Sequence, residues 1–154
     1  MIWEELDIDL ILTDVKAESS DDVMETIGQK LVDKGYCKET FVGALKKRES
    51  EFPTGIDIDG FGIAMPHTDV THVVKSGMAL GVLKTPVVFT QMGTEDSPVE
   101  ARIVVMLAIE NAKAHLAKMQ QILTIFQDKS VLARIGQSAT GEEVVKIIRD
   151  KEQT

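Results

Sequence analysis

Two spacings of apolar residues alternate along the chain. In ESSDDVMETIGQKLVDKG, Val23, Ile27 and Leu31 recur at every fourth position, the spacing of one face of an amphipathic helix. Ser20 stands as its N-cap, acids follow in the first turn, and Gly35 closes it. KETFVGALKKRESEF predicts a second helix, ended by Pro53 and Gly55. AHLAKMQQILTIFQ predicts a third, with Asn111 placed to cap it. SVLARIG and TGEEVVKIIRDK predict two shorter closing helices, the last capped by Thr140. Between these segments the apolar runs are strand-like. DLILTD predicts a strand over Asp9 to Leu12, and FGIAM one that runs into Pro66 and His67. SGMALGVLKTPVVF predicts two extended pieces broken at Lys84 to Pro86. ARIVVMLAI is apolar almost throughout and rich in β-branched residues, the pattern of a central strand buried on both faces. This mixture predicts an α/β fold, a single-domain sandwich over residues 1–154 with a mixed, mostly central β-sheet flanked by helices.

Composition narrows the function. With 154 residues, 44% hydrophobic and 27% charged, the chain suits one soluble domain with a sizeable core. Its net charge is −8 and only 5% of its residues are aromatic. Neither a basic stripe nor a stacking platform is present, so nucleic acid is excluded as a partner. The cluster at Lys46 to Arg48 is too short to reverse that. A phosphate-bearing partner must be met by local positive charge, because the global field opposes it. A single cysteine, Cys37, permits no disulfide within the chain and fits a reducing compartment. The acidic N-terminus lacks the basic region of a signal peptide, and no apolar run is long enough to cross a bilayer. We expect a cytoplasmic protein with no membrane insertion.

Three residues stand out as candidates for chemistry. His67 follows Pro66, which cannot donate to a sheet ladder, so the strand ends there and the histidine stands at its carboxyl end. Open α/β sheets place ligands at that end. A neutral imidazole is a good nucleophile and can form a covalent phospho intermediate; a loop histidine with a satisfied hydrogen bond is the plainer alternative. Arg48 shares a helix face with Phe41 and Leu45. An arginine at the end of a buried stripe requires a partner, and its forked donors suit phosphate; snorkelling to solvent, an acid nearby or the helix C-terminus would also serve. His115 precedes Met119, Ile122 and Phe126 at helical spacing, so it faces inward at a helix start, where anions are favoured. A satisfied, partly buried histidine would fit the same spacing. His72, His67 and Asp69 do not have the spacing of a metal site. Cys37 stands at a helix boundary. No glycine-rich phosphate loop and no G-x-S-x-G elbow is present, so we expect no cofactor and no metal.

KKRESEFPTGI, GIAMPHTD and VVMLAIENAKAHLAKMQQIL, in that order, resemble the enzyme IIA proteins of the sugar phosphotransferase system, in the fructose–mannitol–nitrogen superfamily. The wording RE-x-EFPTGI and PHTD is most similar to galactitol-type members. The resemblance spans roughly Ser20 to Arg149. It implies that His67 takes a phosphoryl group from the phosphocarrier protein HPr and passes it to a cysteine of a partner enzyme IIB. It implies that Arg48 steadies the phosphate and that His115 is a second active-site histidine that holds or orients it, a position less uniform in galactitol-like relatives. Asp69 departs from mannitol- and fructose-type members and is expected to point away from the phosphate or to tune the site. With no IIB or membrane domain attached, the chain is expected to act as a separate subunit. Docking of two proteins in turn implies a shallow site ringed by exposed apolar residues, for which Met65, Phe61 and Met78 are candidates, some of them expected to belong to the core. A nitrogen-type regulatory IIA, binding partners according to phosphorylation state, is the alternative function. An unphosphorylated structural relative with an inert His67 is a third.

Overall fold

A computed structural model describes residues 1–154. Five strands form one mixed sheet in the order β1-β4-β5-β3-β2. They are β1 (Ile11–Val15), β2 (Gly55–Ile58), β3 (Phe61–Ala64), β4 (Gly77–Thr90) and β5 (Pro98–Ala108). β1 runs parallel to β4 and β3 parallel to β5, while β4–β5 and β2–β3 are antiparallel. The helices are α1 (Ile2–Glu5), α2 (Ser20–Asp33), α3 (Phe41–Glu51), α4 (Ala112–Phe126), α5 (Lys129–Gly136) and α6 (Gly141–Glu152). None is long and apolar enough to cross a membrane.

The alternation of β5 explains the layering. Ile103, Val105 and Leu107 pack with Ile122, Leu132 and Ile148 of α4, α5 and α6. Val104, Met106 and Ala108 point to the opposite face, against Val23, Ile27 and Leu31 of α2 and Phe41 and Leu45 of α3. A strand buried on both faces must be apolar at every position, which accounts for the run in the sequence. Helices therefore cover both faces of the sheet, as the expected sandwich requires.

Several boundaries differ from expectation. Ser19, not Ser20, caps α2, its hydroxyl accepting from the Asp22 amide at 3.2 Å. Leu10 belongs to a 3-10 turn over Ile8–Leu10, and β1 begins one residue later. β4 is one strand of 14 residues rather than two pieces. Its register with β5 shifts between Val82 and Val87. The exposed Lys84, Thr85 and Pro86 lie in that bulge, where the missing proline N–H costs no ladder bond. β2 and α1 have no counterpart in the hydrophobic pattern. β2 joins β3 through Asp59 and Gly60, both at positive φ (49° and 91°), as a tight hairpin requires. α1 is held by the far end of the chain: the Glu152 carboxylate accepts from the amides of Ile2 (2.9 Å) and Trp3 (2.8 Å).

Gly62 ties this fold to the site. A Cβ there would lie 2.0 Å from the carbonyl oxygen of Glu100 in β5, a backbone atom that cannot retreat without opening the β3–β5 pairing. Gly62→Ala is expected to destabilise the protein by about 2–4 kcal/mol, in the range for forced overpacking and lost sheet bonds. A thermal melt checks this. A melting temperature equal to that of the parent would show that β3 tolerates displacement.

Candidate active site

The direction of β3 persists beyond its last residue. The Met65 amide donates to the Thr54 carbonyl at 3.3 Å, and the Leu107 amide donates to the Pro66 carbonyl at 3.0 Å. His67 then forms an isolated parallel bridge with Leu107. Ile63 and Met65 face the layer of α4, α5 and α6, and period-two alternation sends His67 to the same side. There its ring meets His115 edge to face, with centroids 4.4 Å apart and planes at 63°.

His67 is half-buried, with Nδ1 2.9 Å from the carbonyl oxygen of Met65. A carbonyl can only accept, so Nδ1 carries the hydrogen and the lone pair of the neutral ring lies on Nε2. Nε2 has no partner in the chain and is open to solvent. Burial pushes the pKa of His67 down to about 4, reinforced by His115 and Arg48 and opposed by the Met65 hydrogen bond. The ring is thus neutral, and nucleophilic at Nε2, throughout the neutral range. An NMR titration of the His67 ring is expected to find a midpoint near 4 rather than the ordinary 6.5. Because the folded pKa lies below the unfolded one, the unfolded chain binds more protons between these values. Stability is then lost as pH falls from about 6.5 to 4, by up to about 3 kcal/mol. A midpoint at 6.5 would mean that the ring is solvated.

Arg48 reaches the site from the opposite layer. It lies in the last turn of α3, with its guanidinium carbon 5.0 Å from the centre of the Phe52 ring. Its Nε is buried and has no hydrogen-bond partner. The acid and helix-terminus alternatives therefore leave this donor unused. An unpaired buried donor is costly and rare in a native fold, which marks a place where an acceptor is received.

His115 lies in the first turn of α4. Its Nε2 is likewise buried and unpartnered, and burial, with Arg48 second, lowers its pKa. The anion-binding capacity expected of this helix start is largely taken up internally. The Asn111 carboxamide accepts from the amides of Lys113 (2.9 Å) and Ala114 (3.3 Å), and the Asn111 carbonyl from that of His115 at 3.0 Å. Nε2 of His115, rather than the helix backbone, is the polar group left unpaired.

The other predicted residues are engaged elsewhere. Asp69 is exposed, caps the 3-10 turn Val70–His72, and accepts from the amide (3.0 Å) and hydroxyl of Thr71. The Thr71 hydroxyl and amide hold its carboxyl below the usual range. His72 pairs through Nδ1 with the Thr40 hydroxyl at 2.8 Å. Oδ1 of Asp69 lies 4.0 Å from Nε2 of His72, and His67 stands apart from this pair with Nδ1 on Met65. Cys37 is buried, and burial pushes its thiol up to about 12, where it is inert.

The residues expected to form an apolar rim do not form one. Met65, Phe61 and Met78 are core, 0%, 8% and 5% exposed, because they share the inward parity of their strands. The exposed apolar side chains near the site in sequence are Phe52, Val70 and Leu116. Each follows a site residue or its turn: Phe52 ends the helix of Arg48, Val70 begins the turn after His67, and Leu116 adjoins His115. Phe52 and Val70 stand at element ends, a position that sequence reasoning can read, whereas Leu116 lies within α4. The larger clefts, of about 410 and 450 Å³, are lined around Lys84 and Gly136, and contain none of His67, Arg48 and His115.

Residues 4–151 match the family described as "Phosphoenolpyruvate-dependent sugar phosphotransferase system, EIIA 2". The chain is 28% identical over 135 residues to the galactitol-specific EIIA component of Escherichia coli K12, covering 86% of this chain and 89% of that protein. It is 29% identical over 145 residues to the mannitol-specific enzyme IIA component of Staphylococcus aureus N315, covering 92% and 93%. Among solved structures it is similar to the E. coli complex of enzyme IIAMtl with phosphorylated enzyme IIBMtl, at a TM-score of 0.78 and 26% identity, covering 94% of this chain and 97% of that one. The chain belongs to the type 2 enzyme IIA family of the phosphoenolpyruvate-dependent sugar phosphotransferase system, a family of phosphotransferases.

Proposed function

We propose that this protein accepts a phosphoryl group from phospho-HPr on Nε2 of His67 and passes it to the cysteine of an enzyme IIB, in the cytoplasm, during sugar uptake. The observation that carries this reading is the set of free nitrogens around one point: Nε2 of His67, open and unprotonated, with the unpartnered Nε atoms of Arg48 and His115 nearby. In the first step the bond between phosphorus and the donor breaks and a bond from phosphorus to Nε2 forms, using the ring's lone pair. In the second, that bond breaks, a sulfur–phosphorus bond forms to the IIB thiolate, and the lone pair returns to Nε2. No proton need enter or leave His67, since Nδ1 keeps its hydrogen throughout. Arg48 and Nε2–H of His115 would meet the incoming charge, of order −1.5 to −2 for a protein-bound phosphoryl group. Such transfer depends chiefly on positioning and charge stabilisation. An open surface suits large partners that dock in turn, and Phe52, Val70 and Leu116 would supply apolar contact.

The wording of the motifs and the E. coli relative make galactitol the first sugar to test, although the mannitol-specific relative is equally similar. The test is to charge the protein with phosphoenolpyruvate, enzyme I and HPr, then to add a galactitol-type or a mannitol-type IIB, following phosphate on each protein by intact mass. Transfer to one IIB within minutes is expected. A phosphate that forms but stays on this chain with both would overturn the transport role and favour the regulatory one.

A further inference from the structure

Glu49 follows Arg48 in the last turn of α3 and feels its charge, but its two oxygens are bonded to Thr54. Its Oε2 accepts from the Thr54 amide and its Oε1 from the Thr54 hydroxyl, both at 2.7 Å. Thr54 is buried. Its carbonyl accepts from the Met65 amide, and the Met65 carbonyl accepts from Nδ1 of His67. Hydrogen bonds therefore link Glu49 to Thr54, Thr54 to Met65 and Met65 to the ring of the nucleophile, joined through the backbone of Thr54 and Met65. The same carboxylate ties the last turn of α3, which holds Arg48, to the strand end that holds His67.

The chemistry of the pair explains why an acid stands there. Thr54 presents two donors, and only a carboxylate offers them two acceptor oxygens. Glutamine would turn an NH2 group towards one of the donors. Burial raises the pKa of Glu49 and the Thr54 bonds oppose it, so the carboxylate is kept in a place that disfavours charge. Resting on the function proposed above, we infer that Glu49 is a positioning residue for phosphoryl acceptance: through Thr54 and Met65 it holds His67 with Nδ1 protonated and Nε2 outward, and sets Arg48 at a fixed place relative to it.

The test compares Glu49→Gln, Thr54→Val and Thr54→Ser with the parent, at a temperature where all are folded. Two quantities are read: the tautomer of the His67 ring from its nitrogen chemical shifts, and the rate of phosphate uptake from phospho-HPr. Glu49→Gln and Thr54→Val are expected to populate the Nε2–H tautomer and to slow uptake about tenfold, on the scale of small misplacements of a reacting group. Thr54→Ser keeps both donors and should retain the parent's tautomer and rate. A merely structural role would lower the melting temperature without moving the tautomer. Parental tautomer and rate in both Glu49→Gln and Thr54→Val would overturn the inference. Should the parent itself accept no phosphate, the proposed function falls, while the tautomer comparison still decides the role of Glu49. Should Glu49→Gln not fold, the contrast between Thr54→Val and Thr54→Ser decides it.

Discussion

His67→Ala is expected to give a folded protein that takes up no phosphate from phospho-HPr. The ring makes one hydrogen bond, to the Met65 carbonyl, and lies at the end of β3 rather than in its core. Losing that bond costs about 1 kcal/mol, too little to unfold the chain. No other imidazole can take over. Nε2 of His115 is closed off from solvent, so a docking donor cannot reach it in line. His72 is engaged through Nδ1 by the Thr40 hydroxyl and has Asp69 beside its Nε2, and a carboxylate there repels an incoming phosphoryl group. Intact mass after incubation with phosphoenolpyruvate, enzyme I and HPr should show one phosphate on the parent and none on the variant.

Arg48→Ala is expected to slow phosphate uptake about 100-fold while leaving the melting temperature within a few degrees of the parent's. The kinetic loss follows from removing a preorganised donor aimed at developing charge, which costs roughly 10²–10³ in rate. The small effect on stability follows because Nε of Arg48 satisfies no group within the chain; the contact with Phe52 and a weak attraction to Glu49 and Asp69 are what is lost. Arg48→Lys should fall between the two, since lysine restores the charge but not the planar fork. A single-turnover time course with phospho-HPr checks the series. Equal rates in all three would mean that the phosphoryl group does not meet this side chain.

The elements with strong periodicity were legible in the sequence. α2 and α4 follow from their apolar stripes, and β5 from its unbroken apolar run with residues buried on both faces. The rest were hidden for identifiable reasons. β2 has only Ile56 and Ile58 as apolar residues, follows Pro53 and begins at Gly55, two residues that signal a helix stop. α1 depends on Glu152, a partner at the other end of the chain. β4 looked broken because Lys84 to Pro86 are bulged outward, although pairing with β5 resumes at Val87. Adjacent serines at 19 and 20 gave no local reason to prefer one as the cap.

The site was legible to a different degree. Pro66 fixed where His67 would stand. Spacing alone placed Arg48 and His115 on inward helix faces, but could not say that α3 and α4 lie on opposite sides of the sheet and meet at one end of it. The resemblance supplied that grouping, and the ring contact between His67 and His115 now gives it a geometry. The Nδ1 bond to Met65 and the Glu49–Thr54 pair involve backbone groups, which leave no trace in a pattern of residue types. The mistaken rim of Met65, Phe61 and Met78 came from reading apolar residues near His67 as exposed, when strand parity buries all three.

The central claim is that Nε2 of His67 is the phosphate acceptor, because Nδ1 is held by Met65. Nitrogen and phosphorus NMR of the phosphorylated protein, with ring nitrogens labelled, tests it most directly. Phosphorus coupled to Nε2 of His67, with Nδ1 still protonated, is the predicted result. Phosphorus on Nδ1, or on the ring of His115 or His72, would contradict it.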